Sequence, residues 1–281
     1  VRPAFAYHRP ATIQDACRLL AAEPRAAVLA GGTDLMVHLT QSWRGKRPPA
    51  VVNVKRIPGL DAIQATDHAL RLGALATLSA LVEHPVVQAE YPVLPLAARY
   101  MGSPAIRNLA TVGGNLCNGS PAADLPPVLL ALDAEVGIAG PGGERRLPLA
   151  DFFRGPGQTA LRPGELLVWI EVPRRRPPRP IRYERLDVRR AMDIAIAGAA
   201  VSVGAGQARV ALCAVAPTPL RVIDAEAVLA EQGLKAGAIE RAAALAVAAA
   251  RPITDVRATA EYRRQMVGVL VRRGLEALRD G

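Results

Sequence analysis

Two glycine pairs set among hydroxyl and amide side chains constrain this chain more than any other feature. Residues 30–35 read AGGTDL, and residues 111–124 read TVGGNLCNGSPAAD. Paired glycines beside small polar residues make a poor helix and a poor strand. They suit a loop that wraps an anion, because glycine reaches positive φ without steric cost and can turn several N–H groups toward one point. On this reading Gly31-Gly32 and Gly113-Gly114 form two nests, and Thr33, Thr111 and Asn115 add hydrogen bonds to phosphate or ribose. Asp34 and Asp124 are acidic and suit sugar hydroxyls or backbone amides better than phosphate. A lone glycine pair is explained by a turn. Two pairs with matched flanks, each behind an apolar run, point to one shared ligand.

Competing motifs fail. GNLCNGS at 114–120 has the Walker glycine spacing but no lysine before its serine, so nothing would reach the β- and γ-phosphates. GPGQTA at 155–160 fits G-x-G-x-x-A, yet Pro156 and the RPGE that follows forbid the helix that motif must open. No G-x-S-x-G elbow is present. Cys117, inside the second loop, reads as a small residue packed beneath it rather than a reactive thiol. Cys17, Cys117 and Cys213 lie far apart with no CxxC, and His8, His38, His68 and His84 form no HExxH. His38 and His84 read as ordinary surface or helix-end residues. Any metal must therefore come from a partner.

The 281 residues allow one large domain or two ordinary ones, each with its own core. An apolar fraction of 51% and a mean hydropathy of +0.17 exclude general disorder. The longest apolar run, IAIAGAAVSVGAG, is too short and too rich in glycine and alanine to cross a bilayer. VRPAFAYHRP at the start carries prolines and a histidine where a secretory signal would have its apolar core. The expectation is a soluble, cytoplasmic protein with no transmembrane segment. A net charge of +10 is compatible with nucleic acid, a membrane surface or an acidic protein partner. Most of the excess is arginine, concentrated in RRRPPRPIRYERLDVRR at 174–190, which reads as a solvated linker. An aromatic content of only 4% leaves few platforms for base stacking and argues against a nucleic-acid-binding or scaffold role.

ATIQDACRLLAA opens with a capping box, Thr12 and Asp15, and places Ile13, Ala16, Cys17 and Leu20 on one helical face. AAVLAGGTDL reads as a buried strand ending at Gly31-Gly32, and PAVVNVKRI as a second strand. RLGALAT at 71–77 reads as a strand, followed by short helices broken by prolines. PPVLLALDAEVGIAG is a helix running into a strand with PGGE as its turn, and 166–172 is a further strand. Beyond the proline- and arginine-rich 173–180, AMDIAIAGAAVSVG and ARVALCAVAP read as a hairpin turning at 204–207. Three helices finish the chain, the last with Tyr262, Met266, Val269 and Leu270 on one face. Irregular alternation of strands and helices favours α+β. The expected division is residues 1–175, with subdomains of about 1–56 and 57–175, and a smaller α+β domain at 176–281.

AGGTDL and TVGGNLCNGSPAADLPPVLLALDA, with IRNLATVGGN, GELLVWIEVP, YERLDVRRAMDIAIAGAAV and AEYRRQMVGVLVRRGLEAL, resemble the FAD-binding medium subunit of the molybdenum hydroxylases over nearly the whole chain. The resemblance implies a two-subdomain FAD-binding domain of the PCMH (vanillyl-alcohol-oxidase) type, followed by the C-terminal domain of that flavoprotein subunit. It implies that Leu29, Ala30, Gly31, Gly32, Thr33, Asp34 and Leu35, with Thr111, Val112, Gly113, Gly114 and Asn115, lie on the pyrophosphate. Asp124, Leu167, Met101 and Arg185 correspond to further cofactor-contacting positions, Arg185 standing where many relatives have lysine. A large partner subunit would hold molybdenum with molybdopterin and a small one two [2Fe–2S] clusters, in a heterohexameric dimer of heterotrimers. Electrons would pass to FAD here and on to an external acceptor. The other reading is a self-contained flavin oxidase or reductase of the same fold.

Overall fold

The computed structural model describes residues 5–41, 47–189, 192–204 and 206–281. The first four residues of the N-terminal stretch, Arg190 and Ala191 of the basic and strand segments, and Ala205 in the expected hairpin turn lie outside the described residues. In chain order the elements begin with β1 (Ala6–His8), α1 (Ile13–Ala22), β2 (Ala27–Leu29), α2 (Leu35–Gln41) and β3 (Ala50–Asn53). The three strands form a parallel sheet in the order β1-β3-β2. Thr12 caps α1 by accepting the Asp15 N–H at 3.1 Å, and Ala16, Cys17 and Leu20 are its buried face. β3 is central and buried throughout. β2 was expected to be buried too. Its residues are only partly covered and Val28 is exposed, because β2 is an edge strand with one side on an open cavity.

Next come β4 (Ile63–Ala65), β5 (Ala69–Gly73), α3 (Leu78–Glu83), α4 (Pro85–Glu90), α5 (Val93–Tyr100), α6 (Pro104–Arg107), α7 (Val112–Cys117), α8 (Leu125–Ala131), β6 (Glu135–Gly140), β7 (Gly143–Pro148), β8 (Phe153–Gly155), β9 (Gln158–Thr159) and β10 (Leu166–Pro173). An antiparallel sheet runs β4-β5-β10-β6-β7, with β10 in the middle. β5 starts two residues earlier than the expected strand and stops at Gly73. A Cβ there would collide with the Leu60 carbonyl, which accepts the Leu75 N–H at 2.6 Å and turns the chain out of the sheet. α8 is apolar on every side and correspondingly buried on every side, its prolines confined to the first turn where no N–H is needed.

The remainder is β11 (Ile181–Leu186), β12 (Ala197–Gly204), β13 (Gln207–Cys213), β14 (Leu220–Arg221), α9 (Ile223–Gln232), α10 (Ala236–Ala249) and α11 (Ala260–Arg279). Its antiparallel sheet, in sequence order, carries the three helices on one side and α8 on the other. The hairpin register pairs Gly204 with Gln207 as expected. The face of α11 differs from the expectation: Arg263, Val267, Leu270, Val271 and Leu275 are buried, whereas Tyr262 is exposed. The reason is Arg263. Its guanidinium is sunk among the carbonyls of Ile196 and Ala214 and the Asp255 carboxylate, so a charged residue occupies a core position. The α+β class stands.

The segment from Arg174 is exposed and irregular at 175–178, as a solvated linker would be, but several of its arginines are held in ion pairs. Arg174 pairs with Glu90, Arg175 and Arg179 with Asp133, and Arg185 with Asp124. Asp133 sits just beyond α8 at φ 58° and also receives Arg209 and Arg221, so one carboxylate gathers four guanidiniums. Burial raises its carboxyl, but the Arg209 hydrogen bond and the surrounding positive charge outweigh that and hold it below the ordinary carboxylate value. A carboxyl depressed in the folded state stabilises fully above its unfolded value and loses that contribution as pH falls through the folded one. Replacing Asp133→Asn should cost about 3 kcal/mol, the scale for stripping one partner from a buried ion pair. The loss in unfolding midpoint relative to wild type should be largest at neutral pH and shrink on acidification.

Candidate functional site

A cavity of about 1480 Å³ opens between the parallel sheet and the antiparallel one. It exceeds the roughly 300–1,000 Å³ of pockets that hold drug-sized molecules, and suits an extended ligand. One wall is the turn from β2 into α2. Gly32 takes φ 83°, a conformation that favours glycine. Among the described residues, the N–H groups of Gly31, Gly32 and Thr33 have no protein acceptor. The expected turn is there, with three N–H groups left open on the cavity side of β2. Asp34 faces the same space and bonds His38 at 3.0 Å.

The second wall departs from the expectation. Residues 112–117 are not a loop but the short helix α7, capped by Thr111, whose hydroxyl accepts the Gly114 N–H at 3.0 Å. Neither Gly113 nor Gly114 has positive φ, and the N–H groups of Val112 and Gly113 bond Ala76 and Ala74. The glycines serve a different need, close approach. A Cβ on Gly113 would lie 2.6 Å from the Ala74 carbonyl, and one on Gly114 would meet only the Thr111 hydroxyl, its other side being open to the cavity. What this wall offers a ligand is side chain and surface. Asn115 donates to the Met101 sulfur at 3.3 Å, while its buried Oδ1 has no partner among the described residues, an acceptor fitted to a hydroxyl or ring N–H.

The two walls touch. A Cβ on Gly31 would collide with the Leu109 carbonyl, so the first loop lies directly on the segment that leads into Thr111. Ala30, Gly31, Gly32, Thr33, Asp34 and Leu35 thus face Thr111, Gly113, Gly114 and Asn115 across one cavity, with Met101 and Leu167 on its inner surface. Leu29 and Val112 are not part of the lining, and Val112 is fully buried behind it.

Asp124 and Arg185 are also absent from the lining and form a buried cluster of their own. Arg185 Nε is 2.8 Å from Asp124 Oδ1, and its other nitrogens reach Asp187 and the Asp193 carbonyl. Tyr183 donates to Asp124 at 2.6 Å, and the guanidinium lies 4.9 Å from the Tyr100 ring centroid. Burial pushes the Asp124 carboxyl up, against the pull of Arg185 and of Tyr183. This cluster ties α5, α8 and β11 together beside Met101, the residue that follows α5.

Cys117 is partly buried in the second wall and lines the cavity, and burial pushes its thiol up to about 12. Among the described residues no group of three or more His, Cys, Asp or Glu is placed to hold a metal, and no helix is long and apolar enough to cross a membrane. Sequence reasoning missed Ala74, Leu75, Ile106 and Ala110 in the lining, and Arg25 and Arg47 at its rim. Only Gly73, just before Ala74, hinted at a tight backbone there.

Residues 3–175 match the family model described as the FAD binding domain in molybdopterin dehydrogenase, and residues 183–278 that of the CO dehydrogenase flavoprotein C-terminal domain. The carbon monoxide dehydrogenase medium chain of Hydrogenophaga pseudoflava is 34% identical over 99% of this chain and 98% of its own. The xanthine dehydrogenase FAD-binding subunit of Escherichia coli is 33% identical over 95% and 93%. Among solved structures, carbon monoxide dehydrogenase from Hydrogenophaga pseudoflava superposes with a TM-score of 0.93 at 35% identity, covering 99% of this chain and 98% of that one.

The contact between the walls is testable without any ligand. Gly31→Ala should lower stability by about 2 kcal/mol, the scale of overpacking, and the drop should be seen in chemical unfolding, whereas Gly142→Ala, with open space around it, should change little.

Proposed function

Because this chain belongs to the family of FAD-binding medium subunits of the molybdenum hydroxylases, we propose that its large cavity holds FAD with the pyrophosphate on the loop at 30–35. The chain is the FAD-carrying electron-transfer subunit of an oxidoreductase complex. FAD supplies the redox chemistry when bound, and the protein supplies binding and orientation. The observation that carries the placement is the nest of three unpaired N–H groups at Gly31, Gly32 and Thr33. The residues present fit the cofactor. Unpaired N–H donors suit a phosphate, the orphaned Asn115 Oδ1 suits a hydroxyl or ring donor, and the apolar Leu167 and Met101 suit a planar ring. Leu29 and Val112 support the two walls from behind. Asp124 and Arg185 act one step away, fixing the ends of α5 and α8 that shape the inner surface.

Partner subunits carry molybdenum with molybdopterin and the [2Fe–2S] clusters, electrons reach this chain from the clusters, and an external acceptor takes them away. The assembly is a cytoplasmic dimer of heterotrimers. Residues 1–175 form the cofactor domain, in subdomains of about 1–56 and 57–175, and 176–281 the C-terminal domain. Against the self-contained oxidase stands the lining itself, in which Asp34 is already bonded to His38 and Glu165 to Arg145. Against a nucleic-acid role stands the engagement of Arg174, Arg175, Arg179 and Arg185 in ion pairs.

Gly114→Val tests the placement. Its side chain would enter the cavity from the second wall and disturb the Thr111 cap, so the purified variant should lose most of its FAD while retaining its circular dichroism spectrum. Full FAD content in a folded variant would put the cofactor elsewhere.

A further inference from the structure

The free edge of β2 borders the large cavity, and we propose that it reads the adenine of the bound cofactor and selects it over an oxo-purine. The inference rests on the FAD reading above and goes one step further, to the groups that recognise the base. β2 is the last strand in the order β1-β3-β2, so among the described residues one of its edges has no neighbouring strand. The cavity lies along that edge. Arg25, Ala26, Ala27 and Val28 line it in succession, whereas a sheet face would contribute alternate residues.

The ladder to β3 fixes which backbone groups face outward. Leu29 pairs with Asn53, and its carbonyl accepts the Val54 N–H at 3.3 Å, so the polar backbone groups of Leu29 point at β3. Along a strand these groups alternate sides. Ala27, opposite Val51, faces inward with Leu29, and the Val28 N–H and the Ala26 carbonyl point outward. Neither has a hydrogen-bond partner among the described residues, while the Ala26 N–H is taken by the Glu23 carbonyl. A donor and an acceptor two residues apart are thus left side by side on an unpaired edge, where a ligand can complete them.

Adenine carries the complement on its Watson–Crick edge, an acceptor at N1 beside a donor at the N6 amino group. Val28 donates to the first and Ala26 accepts from the second. Hypoxanthine reverses both positions, with a carbonyl at position 6 and a hydrogen on N1, so acceptor would face acceptor and donor would face donor. Position along the chain selects this arm of FAD. Val28 stands three residues before Gly31, about 10 Å at roughly 3.3 Å per residue, which leaves room for a ribose and a purine beside the phosphates. The flavin ring is assigned to Met101 and Leu167, so the adenosine arm is the part left for the β2 edge.

Exchanging the base tests this directly. The full chain, freed of flavin, is titrated with FAD, with the FAD analogue that carries hypoxanthine in place of adenine, and with FMN, which lacks the adenosine. The analogue should bind about 100-fold more weakly than FAD, because two hydrogen bonds are lost and like groups are brought together. Val28→Pro removes the outward N–H at an edge position, where proline is tolerated. It should weaken FAD about tenfold, leave FMN unchanged and shrink the preference for FAD over the analogue. Its circular dichroism spectrum checks that it is folded, and the comparison of ligands on the wild type needs no variant. Equal affinity for FAD and the analogue, or a preference kept in full by folded Val28→Pro, would overturn the proposal and leave the placement of FAD intact. Absence of FAD binding would remove the reading beneath it, and the proposal with it.

Discussion

The structure depends on one backbone contact, the seating of Gly31 against the carbonyl of Leu109. A side chain there would push the β2–α2 turn off the segment that leads into Thr111, and the two walls of the cavity would part. Everything around the contact holds it in place. Thr111 bridges to Thr77, Leu78 N–H bonds Ala110, and Gly113 rests on Ala74. The first sheet is anchored through α1, whose Cys17 reaches the Ala139 carbonyl of β6. A long open ligand site is thus built between two small sheets whose facing loops meet as backbone on backbone, with no side chains to soften the fit.

The far side of the molecule is secured differently. α8 is buried on all sides, packed on the C-terminal sheet and on α5 and α7, and one core contains residues of both sheets, including Leu72, Ile170, Tyr183, Ala200 and Ala211. Around this apolar joint runs a belt of ion pairs, with Asp124 serving Arg185 at the start of α8 and Asp133 serving four arginines beyond its end. Such pairs are costly to desolvate, and their return is a defined arrangement of the parts they join. That rigidity has a use here. Met101, on the inner surface of the large cavity, follows α5, which packs on α8 and β11.

Local signals were legible in the sequence and distant ones were not. The first helix declared itself through Thr12 and Asp15, and the β12–β13 hairpin through its alternation and turn, because both depend on residues a few positions apart. Both glycine pairs lie on walls of the cavity, yet only Gly32 takes the positive φ expected of them. Gly113 is required by Ala74, far away in the chain, and no local pattern announces that. The arginines after Pro173 looked like solvated charge because their partners, Glu90, Asp133 and Asp124, come from distant segments. Arg263 hid the buried face of α11 for the same reason. The resemblance to a known family supplied what residue patterns could not, the identity of the ligand.

If FAD is gripped through its pyrophosphate in the cavity whose walls meet at Gly31 and Leu109, the phosphates should carry much of its affinity. The most direct measurement is a calorimetric titration of the flavin-free full chain with FAD and, separately, with riboflavin, which has the ring but no phosphate. Saturable binding of one FAD per chain and far weaker binding of riboflavin are expected. Failure to bind FAD, or riboflavin binding as tightly as FAD, would contradict this placement.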